Sequence, residues 1–541
     1  MSSTAQPAAS WHRGRVASWL VSVDHKRIGA LYLGFASIFF VLAGILTLLM
    51  RLQLTRPDAS ILGADTYHGV LTMHGTLLVF FVLVPVVTGL ATFIVPLQIG
   101  SRGIAMPGLA ASALWLFLFA GIAVVLSALA GGGASRAGWT GYPPLSLLQE
   151  GNGVRLWLIG LFVLALSVLA SAVNLAATIR AHRAEGMTWA NLPLFAWSVY
   201  VWALATIVLV PVAAIGLGLL LLERRFPGSF DFFLTGDKTV KPWLVWLFGQ
   251  SFAYAALVPV LGVVAEILAV FAGRAVASAR VLVQSLVGVA GLTIALVLYH
   301  AYATGVGRKP SVLLLLLAVV ATIPALVAFV LLAKTFLGAW SSLRWTAPLL
   351  FSAGAVVLLG IGLLSALVLA VFGNDRGLRG TAFGVAHAHY LLWGTALFAL
   401  LGALVYWWPK VFGRLLGTTL TRWSAILLFV GFNCTFFVQF LLGDQGQAKG
   451  AAVFDENGST SAYNMISTIG AFASAAGVLF FLLAVARAVK GRRAGNDPWQ
   501  AATLEWYTTS PPPHNFDSIP EVTSARPLAD LRSKLKELNA F

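Results

Sequence analysis

The feature that most constrains this chain is a series of long apolar runs that recurs from one end of the sequence to the other. Runs of about 20 apolar residues are long enough to cross the roughly 30 Å hydrocarbon core of a bilayer as α-helices. Only 10% of the 541 residues are charged, whereas soluble domains have about 25%. A water-soluble fold cannot hide so much apolar surface, and the sequence therefore predicts an all-α integral membrane protein.

Twelve such runs are present, and no segment between them is long enough to form a separate soluble domain. We expect a membrane domain over residues 28–487, an N-terminal segment over 1–27 without a cleavable signal peptide, and a polar C-terminal tail over 488–541 that lies against the membrane domain. The predicted transmembrane helices are 28–50, 68–96, 107–130, 155–178, 194–222, 242–272, 279–303, 311–337, 347–372, 382–408, 421–443 and 463–487.

The net charge of +16 does not indicate a nucleic-acid binder, because the basic residues lie between the apolar runs rather than in one patch. Groups of them precede the first predicted helix and follow the fourth, sixth, tenth and twelfth, which places all of these groups on one side of the membrane. By the positive-inside rule that side is the cytoplasm. We therefore expect a multi-pass protein of a prokaryotic cytoplasmic membrane, with both termini in the cytoplasm and the lipid bilayer, not nucleic acid, as its partner.

Any metal chemistry in this chain must use histidine, because the single cysteine, Cys434, excludes an intrachain disulfide and a cysteine cage. Residues that can ionise or bind metals are costly in hydrocarbon, and each one there is a candidate functional residue. Of nine histidines, one lies at the mouth of a predicted helix, His68, and four lie inside predicted helices: His74, His300, His387 and His389.

The most informative of these are His387 and His389, which project about 200° apart on a helix because they are two residues apart. They cannot share one small metal ion, but each can ligate a separate haem, which takes one axial imidazole per face. The alternative is a pair of buried histidines hydrogen-bonded to neighbouring helices. His74, flanked by Thr72 and Gly75, has small neighbours that would let a haem plane approach the backbone, which favours it as the second ligand of a six-coordinate haem.

Motifs along nearly the whole chain resemble subunit I of the haem-copper terminal oxidases, most closely the cytochrome c oxidase type. The motifs follow the order of that family and accompany its twelve transmembrane helices. They are DHKRIG at 24–29, TMHGTLLVFF at 72–81, VPLQIG at 95–100, GWTGYPPLS at 138–146, LPLFAWSV at 192–199, AHAHY at 386–390, GFNCTFF at 431–437 and TLEWYTTSPPP at 503–513.

The resemblance implies particular cofactors and partners. His74 and His389 match the axial ligands of a low-spin haem, and His387 matches the axial ligand of a high-spin haem. Arg51 occupies the place of an arginine at the periphery of the low-spin haem, although an arginine that reaches the membrane surface is an alternative. The implied partners are other oxidase-type membrane subunits and an electron donor such as a cytochrome c or a cupredoxin-like domain.

The copper site departs from the pattern of the family. Its usual His-Pro-Glu-Val-Tyr sequence is replaced here by residues 250–254, so that Gln250 stands for the histidine, Phe252 for the glutamate, and only Tyr254 is kept. The usual His-His pair of the next helix is His300 followed by Ala301. Copper bound through imidazoles needs several of them, and an amide oxygen suits this metal poorly. We therefore expect no copper, and Tyr254 and His300 remain as candidate catalytic residues.

The positions that take up protons in the family have changed as well. Its aspartate after the second helix aligns with Gly103, and its lysine in the eighth helix aligns with Ala328. The only buried carboxylate expected in a predicted helix is Glu266, which lies near the cytoplasmic end of that helix and is expected to pair with a loop arginine. The positions that bind magnesium and contact haem propionates in the family are also different, at Arg379, Gly380, Lys449 and Gly450.

Three functions remain open from the sequence. The first is a haem-binding, electron-transferring subunit of a respiratory oxidase-type complex that lacks the copper centre and the usual proton pathways. The second is an active enzyme with the family's oxidase activity, reducing dioxygen or nitric oxide at a mononuclear haem or at a metal site rebuilt around His300. The third is a structural or assembly subunit that keeps the fold. A transporter also fits twelve helices, but a transporter has no need of three axial histidines.

Overall fold

The computed structural model describes residues 15–143, 145–227, 242–305, 312–373, 376–512 and 515–538. Side chains are described throughout these ranges except at 15–16, 242–254, 297–305, 312–315 and 317–318.

Twelve long helices make up the membrane domain, in agreement with the twelve that the apolar runs predict. Eleven of them are long and apolar enough in their described parts to cross a bilayer, and the other is apolar from Ala255 to Phe271. They are α1 (His25–Gln53), α2 (Ala64–Gln98), α3 (Pro107–Ser127), α4 (Asn152–Ala181), α5 (Leu194–Arg225), α6 (Pro242–Phe271), α7 (Ala279–Gly305), α8 (Val312–Leu337), α9 (Ala347–Phe372), α10 (Ala382–Phe412), α11 (Thr418–Asp444) and α12 (Thr460–Ala488).

Each helix packs against the next one in the chain, in pairs from α1 with α2 to α11 with α12, and α12 also packs against α1. Among the eleven helices with a full membrane-spanning stretch, two lie deeper than the others, and the described part of α6, Ala255–Phe271, is also almost entirely buried. The most apolar stretch is 89% buried in α2 and 72% buried in α10, against 56% or less in the other nine of these eleven helices. The three candidate axial histidines lie on these two interior helices.

Both interior helices contain a π-helical segment beside the candidate ligands. In α2 it runs from Leu77 to Leu83, beginning three residues after His74, and in α10 it runs from His389 to Gly394. Such segments are rare and are frequent at functional sites, because one extra residue in a turn re-aims the side chains around it. Neither π segment is indicated by the sequence pattern.

The C-terminal segment packs on one end of the bundle, as expected for a tail that lies against the membrane domain. Trp506 is buried and donates a hydrogen bond from Nε1 to Tyr406 Oη at 3.1 Å. Lys410 Nζ, at the end of α10, donates to the carbonyl oxygen of Thr508 at 2.8 Å. A final helix, α13 (Pro527–Leu538), follows this segment.

Candidate haem-binding site

His74 is held by helix α1. Its Nδ1 lies 2.9 Å from Thr47 Oγ1 and 3.2 Å from the carbonyl oxygen of Ala43. The Thr47 hydroxyl donates its own proton to that same carbonyl at 3.0 Å, so it must accept from the histidine. The proton of a neutral His74 is therefore on Nδ1, and Nε2 carries the lone pair.

His389 is held by its own helix and by α11. Its Nδ1 lies 2.8 Å from the carbonyl oxygen of Val385, which only accepts, so Nδ1 again carries the proton. The imidazole stacks on the ring of Phe436 with the centroids 3.9 Å apart and the planes at 16°. The imidazoles of His389 and His74 are also close enough to interact electrostatically across the interior of the bundle.

His387 is held by α9, on a different neighbour from His389. Its Nδ1 lies 2.9 Å from Ser365 Oγ, and that hydroxyl donates to the carbonyl oxygen of Gly362 at 2.8 Å. The serine proton is thus used within α9, and the serine oxygen accepts from Nδ1. The two histidines of α10 contact different neighbouring helices, as side chains two residues apart on a helix must.

All three imidazoles thus have the same arrangement. Their Nδ1–H is fixed by a hydrogen bond, and their Nε2 has no hydrogen-bond partner among the described residues. A histidine that ligates a metal through Nε2 typically donates its other N–H in this way, which fixes the tautomer and the ring orientation. His25 shows the contrast. Its Nδ1 lies 2.9 Å from Thr92 O and its Nε2 lies 3.1 Å from Asn515 Oδ1, so both nitrogens are occupied by the protein.

Arg51 lies near the C-terminal end of α1 and is buried in the protein. Only 8% of this residue is exposed, and its Nη2 donates to the carbonyl oxygen of Asn464 at 2.9 Å and to Thr468 Oγ1 at 3.2 Å, both on α12. Its Nε is buried and has no hydrogen-bond partner among the described residues. A buried guanidinium N–H without an acceptor is unfavourable, and an acceptor at the periphery of a bound haem would satisfy it. The residues present therefore fit a haem here.

The small residues beside His74 have roles other than the sequence suggested. A Cβ atom at Gly75 would lie 2.8 Å from Trp139 Cδ1, so this glycine makes room for an indole rather than for a haem plane. Thr72 Oγ1 donates to His68 O at 2.9 Å and accepts from the backbone N–H of Gly138 at 3.0 Å. Together they attach the loop after α3 to the bundle.

The candidate copper and distal residues lie where no side chains are described. Gln250, Phe252 and Tyr254 are on α6, and His300 and Ala301 are on α7. Their helices form as the sequence predicts, but the geometry of these five side chains lies outside the described residues.

Glu266 differs from the expectation of a partner arginine. It is buried and accepts a hydrogen bond from Thr503 Oγ1 at 3.3 Å, and it makes none of the ion pairs found among the described residues. The C-terminal segment covers this end of α6, so a threonine from the tail takes the place that a loop arginine would need.

The polar positions singled out in the sequence at 379–380 and 449–450 come together in space. The backbone N–H of Lys449 donates to Gly380 O at 3.0 Å, which joins the loop before α10 to the loop after α11. Arg379 Nη2 donates to Leu369 O at 3.1 Å and is close enough to His387 for an electrostatic interaction. A cationic side chain therefore lies near the candidate second ligand.

Thr47, Ser365 and Phe436 are the site residues that the sequence did not reveal. Each belongs to a different helix from the histidine that it contacts. Hydroxyl and phenyl side chains are ordinary in transmembrane helices, so no local signal distinguishes these three from their neighbours.

A twelve-helix bundle with fixed imidazoles on its two interior helices defines a multi-pass membrane protein of the haem-binding class. The sequence profile of the family "Cytochrome C and Quinol oxidase polypeptide I" matches residues 27–473, and the chain belongs to this family. It is 35% identical to "Cytochrome c oxidase subunit 1" of Bacillus subtilis over 94% of this chain and 82% of that protein. It is 35% identical to "Probable cytochrome c oxidase subunit 1-beta" of Nocardia farcinica over 95% of this chain and 87% of that protein.

One solved structure shares the fold. It is the cryo-EM structure of a heme-copper terminal oxidase dimer, with a TM-score of 0.68 and 15% sequence identity over 87% of this chain and 84% of that chain. The resemblance seen in the motifs is thus confirmed by family, by relatives and by fold. The chain is a respiratory-chain membrane protein of a family that binds haem and transports electrons in prokaryotic membranes.

Proposed function

We propose that this chain is the haem-binding, electron-transferring subunit of a respiratory oxidase-type complex. A low-spin haem is held by His74 and His389, a second haem is held by His387, and there is no copper centre. The observation that carries the proposal is the shared arrangement of the three imidazoles. Each donates Nδ1–H either to a carbonyl oxygen or to a hydroxyl oxygen whose own proton is donated to a backbone carbonyl. Hydrogen-bonded structural histidines such as His25 lack this one-sided pattern.

The chemistry that a bis-histidine haem supplies when bound is one-electron transfer without a vacant coordination position. The residues of this chain orient the ligands and exclude water from them. Thr47 and the Val385 carbonyl orient the two imidazoles, Phe436 covers one face of His389, and Arg51 offers an N–H to the periphery.

The absence of copper is proposed from the donor set. Of three copper imidazoles in the family pattern, only His300 is present, while Gln250 and Ala301 replace the others. In the proposed subunit His300 either ligates the second haem or hydrogen-bonds a water or Tyr254. We favour the second arrangement, because moving a packed helix toward the iron costs more than placing one water molecule.

We also propose that the subunit does not pump protons. A pump needs a continuous series of protonatable groups through hydrocarbon, and Gly103, Phe252 and Ala328 stand where the two family routes have such groups. The proposed complex includes other oxidase-type membrane subunits and a donor such as a cytochrome c or a cupredoxin-like domain. Both termini, with the segments 1–27 and 488–541, face the cytoplasm under the positive-inside rule.

The test is cofactor analysis of the purified chain. A pyridine haemochrome spectrum together with elemental analysis should give two haem irons per chain and at most a trace of copper. Stoichiometric copper that no copper-bearing partner explains would favour an active oxidase, and a chain without haem would favour a structural or assembly subunit.

A further inference from the structure

Two glutamates lie in the protein interior where the C-terminal segment meets the bundle. Glu266 comes from α6 and is 6% exposed, and Glu505 comes from the short turn Leu504–Trp506 and is 0% exposed. The hydroxyl of Thr503 donates to Glu266 Oε1 at 3.3 Å, and the carboxyl groups of Glu266 and Glu505, two residues from Thr503, are close enough to interact electrostatically. The two carboxyl groups are therefore neighbours.

No cation neutralises this pair directly among the described residues. Lys410, on α10, gives its Nζ hydrogen bonds to the carbonyl oxygens of Thr508 at 2.8 Å and Thr509 at 3.2 Å. The other charged or titratable groups that face the pair are Tyr406 on α10 and Arg526 and Asp497 in the C-terminal segment, and Asp497 is itself paired with Arg532. Two like charges in such a place would repel strongly, because little water screens them.

The hydrogen bonds around Glu505 indicate which of its two carboxyl oxygens carries the proton. Its Oε1 accepts from Gln98 Nε2 at 3.1 Å and from Trp407 Nε1 at 3.2 Å. Its other oxygen, Oε2, and the side-chain oxygen of Gln98 are both buried without a partner. A proton on Oε2 would make that oxygen a hydrogen-bond donor, and the Gln98 side-chain oxygen is an acceptor without a donor. Glu505 and Gln98 would then form an acid–amide pair joined by two hydrogen bonds.

We propose that Glu266 and Glu505 form a coupled carboxyl pair that holds one proton, on Glu505 Oε2 beside Gln98, at the junction of α6, α10 and the C-terminal segment. This site lies at one end of the bundle and is not part of a route across the membrane. The C-terminal segment supplies Glu505 and Thr503 to it, and α10 supplies Tyr406 and Lys410.

The site also links proton binding to attachment of the C-terminal segment. Burial raises the pKa of Glu505 above its ordinary value. A carboxyl group with a raised pKa in the folded state stabilises that state at low pH, and this contribution is lost as the pH rises through the raised pKa. The segment is therefore held most firmly when the site is protonated, and alkaline pH weakens its attachment.

The test is infrared spectroscopy of the whole protein in detergent or lipid at about pH 7, well above the ordinary glutamate pKa of about 4.3. The difference between wild type and the double variant Glu266→Gln/Glu505→Gln should contain the C=O stretching band of one protonated carboxylic acid. Each single variant should lower the pH at which the remaining carboxyl ionises, because its charged neighbour is gone. Glu185→Gln, which changes an exposed loop glutamate in the same way, should leave the band as it is.

Wild-type protein carrying ¹³C-labelled glutamate provides a measurement that needs no variant, since the label shifts any protonated glutamate band. Absence of such a band at about pH 7, well above the ordinary carboxyl pKa, would overturn the proposal. So would single variants that leave the titration of the remaining carboxyl unchanged, because the two carboxyl groups would then not influence each other's ionisation.

Discussion

The hydroxyl of Thr47 should affect the affinity and the midpoint potential of the proposed low-spin haem. Its oxygen accepts a hydrogen bond from Nδ1–H of the ligand His74, at 2.9 Å. Valine in its place keeps the branched shape and removes the acceptor. The Ala43 carbonyl at 3.2 Å remains as a second acceptor, so the loss is partial. A single neutral hydrogen bond contributes about 0.5–1.5 kcal/mol, and changes in residues behind a metal ligand cost about 10–100-fold in affinity.

These two magnitudes overlap near tenfold, or about 1.4 kcal/mol, which is our expectation for the weakening of haem binding in Thr47→Val. An imidazole that donates a hydrogen bond is a more basic ligand and favours the ferric iron. If haem binding is weakened tenfold in the ferric state only, the midpoint potential of the haem rises by about 60 mV, because the couple transfers one electron.

The assay is a spectroelectrochemical titration of the low-spin band in wild type, Thr47→Val and the matched control Thr47→Ser. The serine variant keeps the hydroxyl and should titrate like wild type. The second haem should keep its potential in all three proteins. An unchanged potential in Thr47→Val, or an equal shift in Thr47→Ser, would refute the assignment of Thr47 as the residue that orients His74.

The remaining predictions concern the ligands, the second haem and the protons. His74→Ala should remove the sharp band of a six-coordinate haem from the reduced spectrum while His25→Ala keeps it, and a band that survives in His74→Ala would contradict the axial assignment. Carbon monoxide should bind rapidly to the reduced protein, at a rate that His300→Ala leaves unchanged, because the second haem is open; failure to bind would instead indicate that His300 ligates the iron. Proteoliposomes that contain this subunit alone should show no acidification coupled to turnover, and a coupled pH change would contradict the absence of pumping.

The sequence by itself determined the membrane class, the twelve helices and their bounds to within a few residues. These properties depend on the length and composition of local segments, since about 20 consecutive apolar residues form a helix across hydrocarbon wherever they stand in the chain. The sequence also determined that His387 and His389 face different directions, because the rotation per residue of a helix is fixed. The family followed from motifs that need no knowledge of their contacts.

Only the tertiary structure decided which residues act on these histidines. Thr47 and Ser365 are far from His74 and His387 in sequence, and whether a hydroxyl meets an imidazole depends on how two helices rotate and slide against each other. The same dependence packs Arg51 against α12, where it is buried in the protein. Packing between distant segments follows from the combined shapes of many side chains, so a local pattern does not contain it.

The carboxyl pair shows this division most clearly. The sequence singles out Glu266 as a carboxylate in an apolar helix, and a loop arginine is the natural partner to expect for it. In the folded protein the C-terminal segment covers that end of α6 and brings Thr503 and Glu505 to it. A segment more than 200 residues away thus determines the environment of this glutamate, because burial and charge are set by what packs on a residue rather than by its neighbours in the chain.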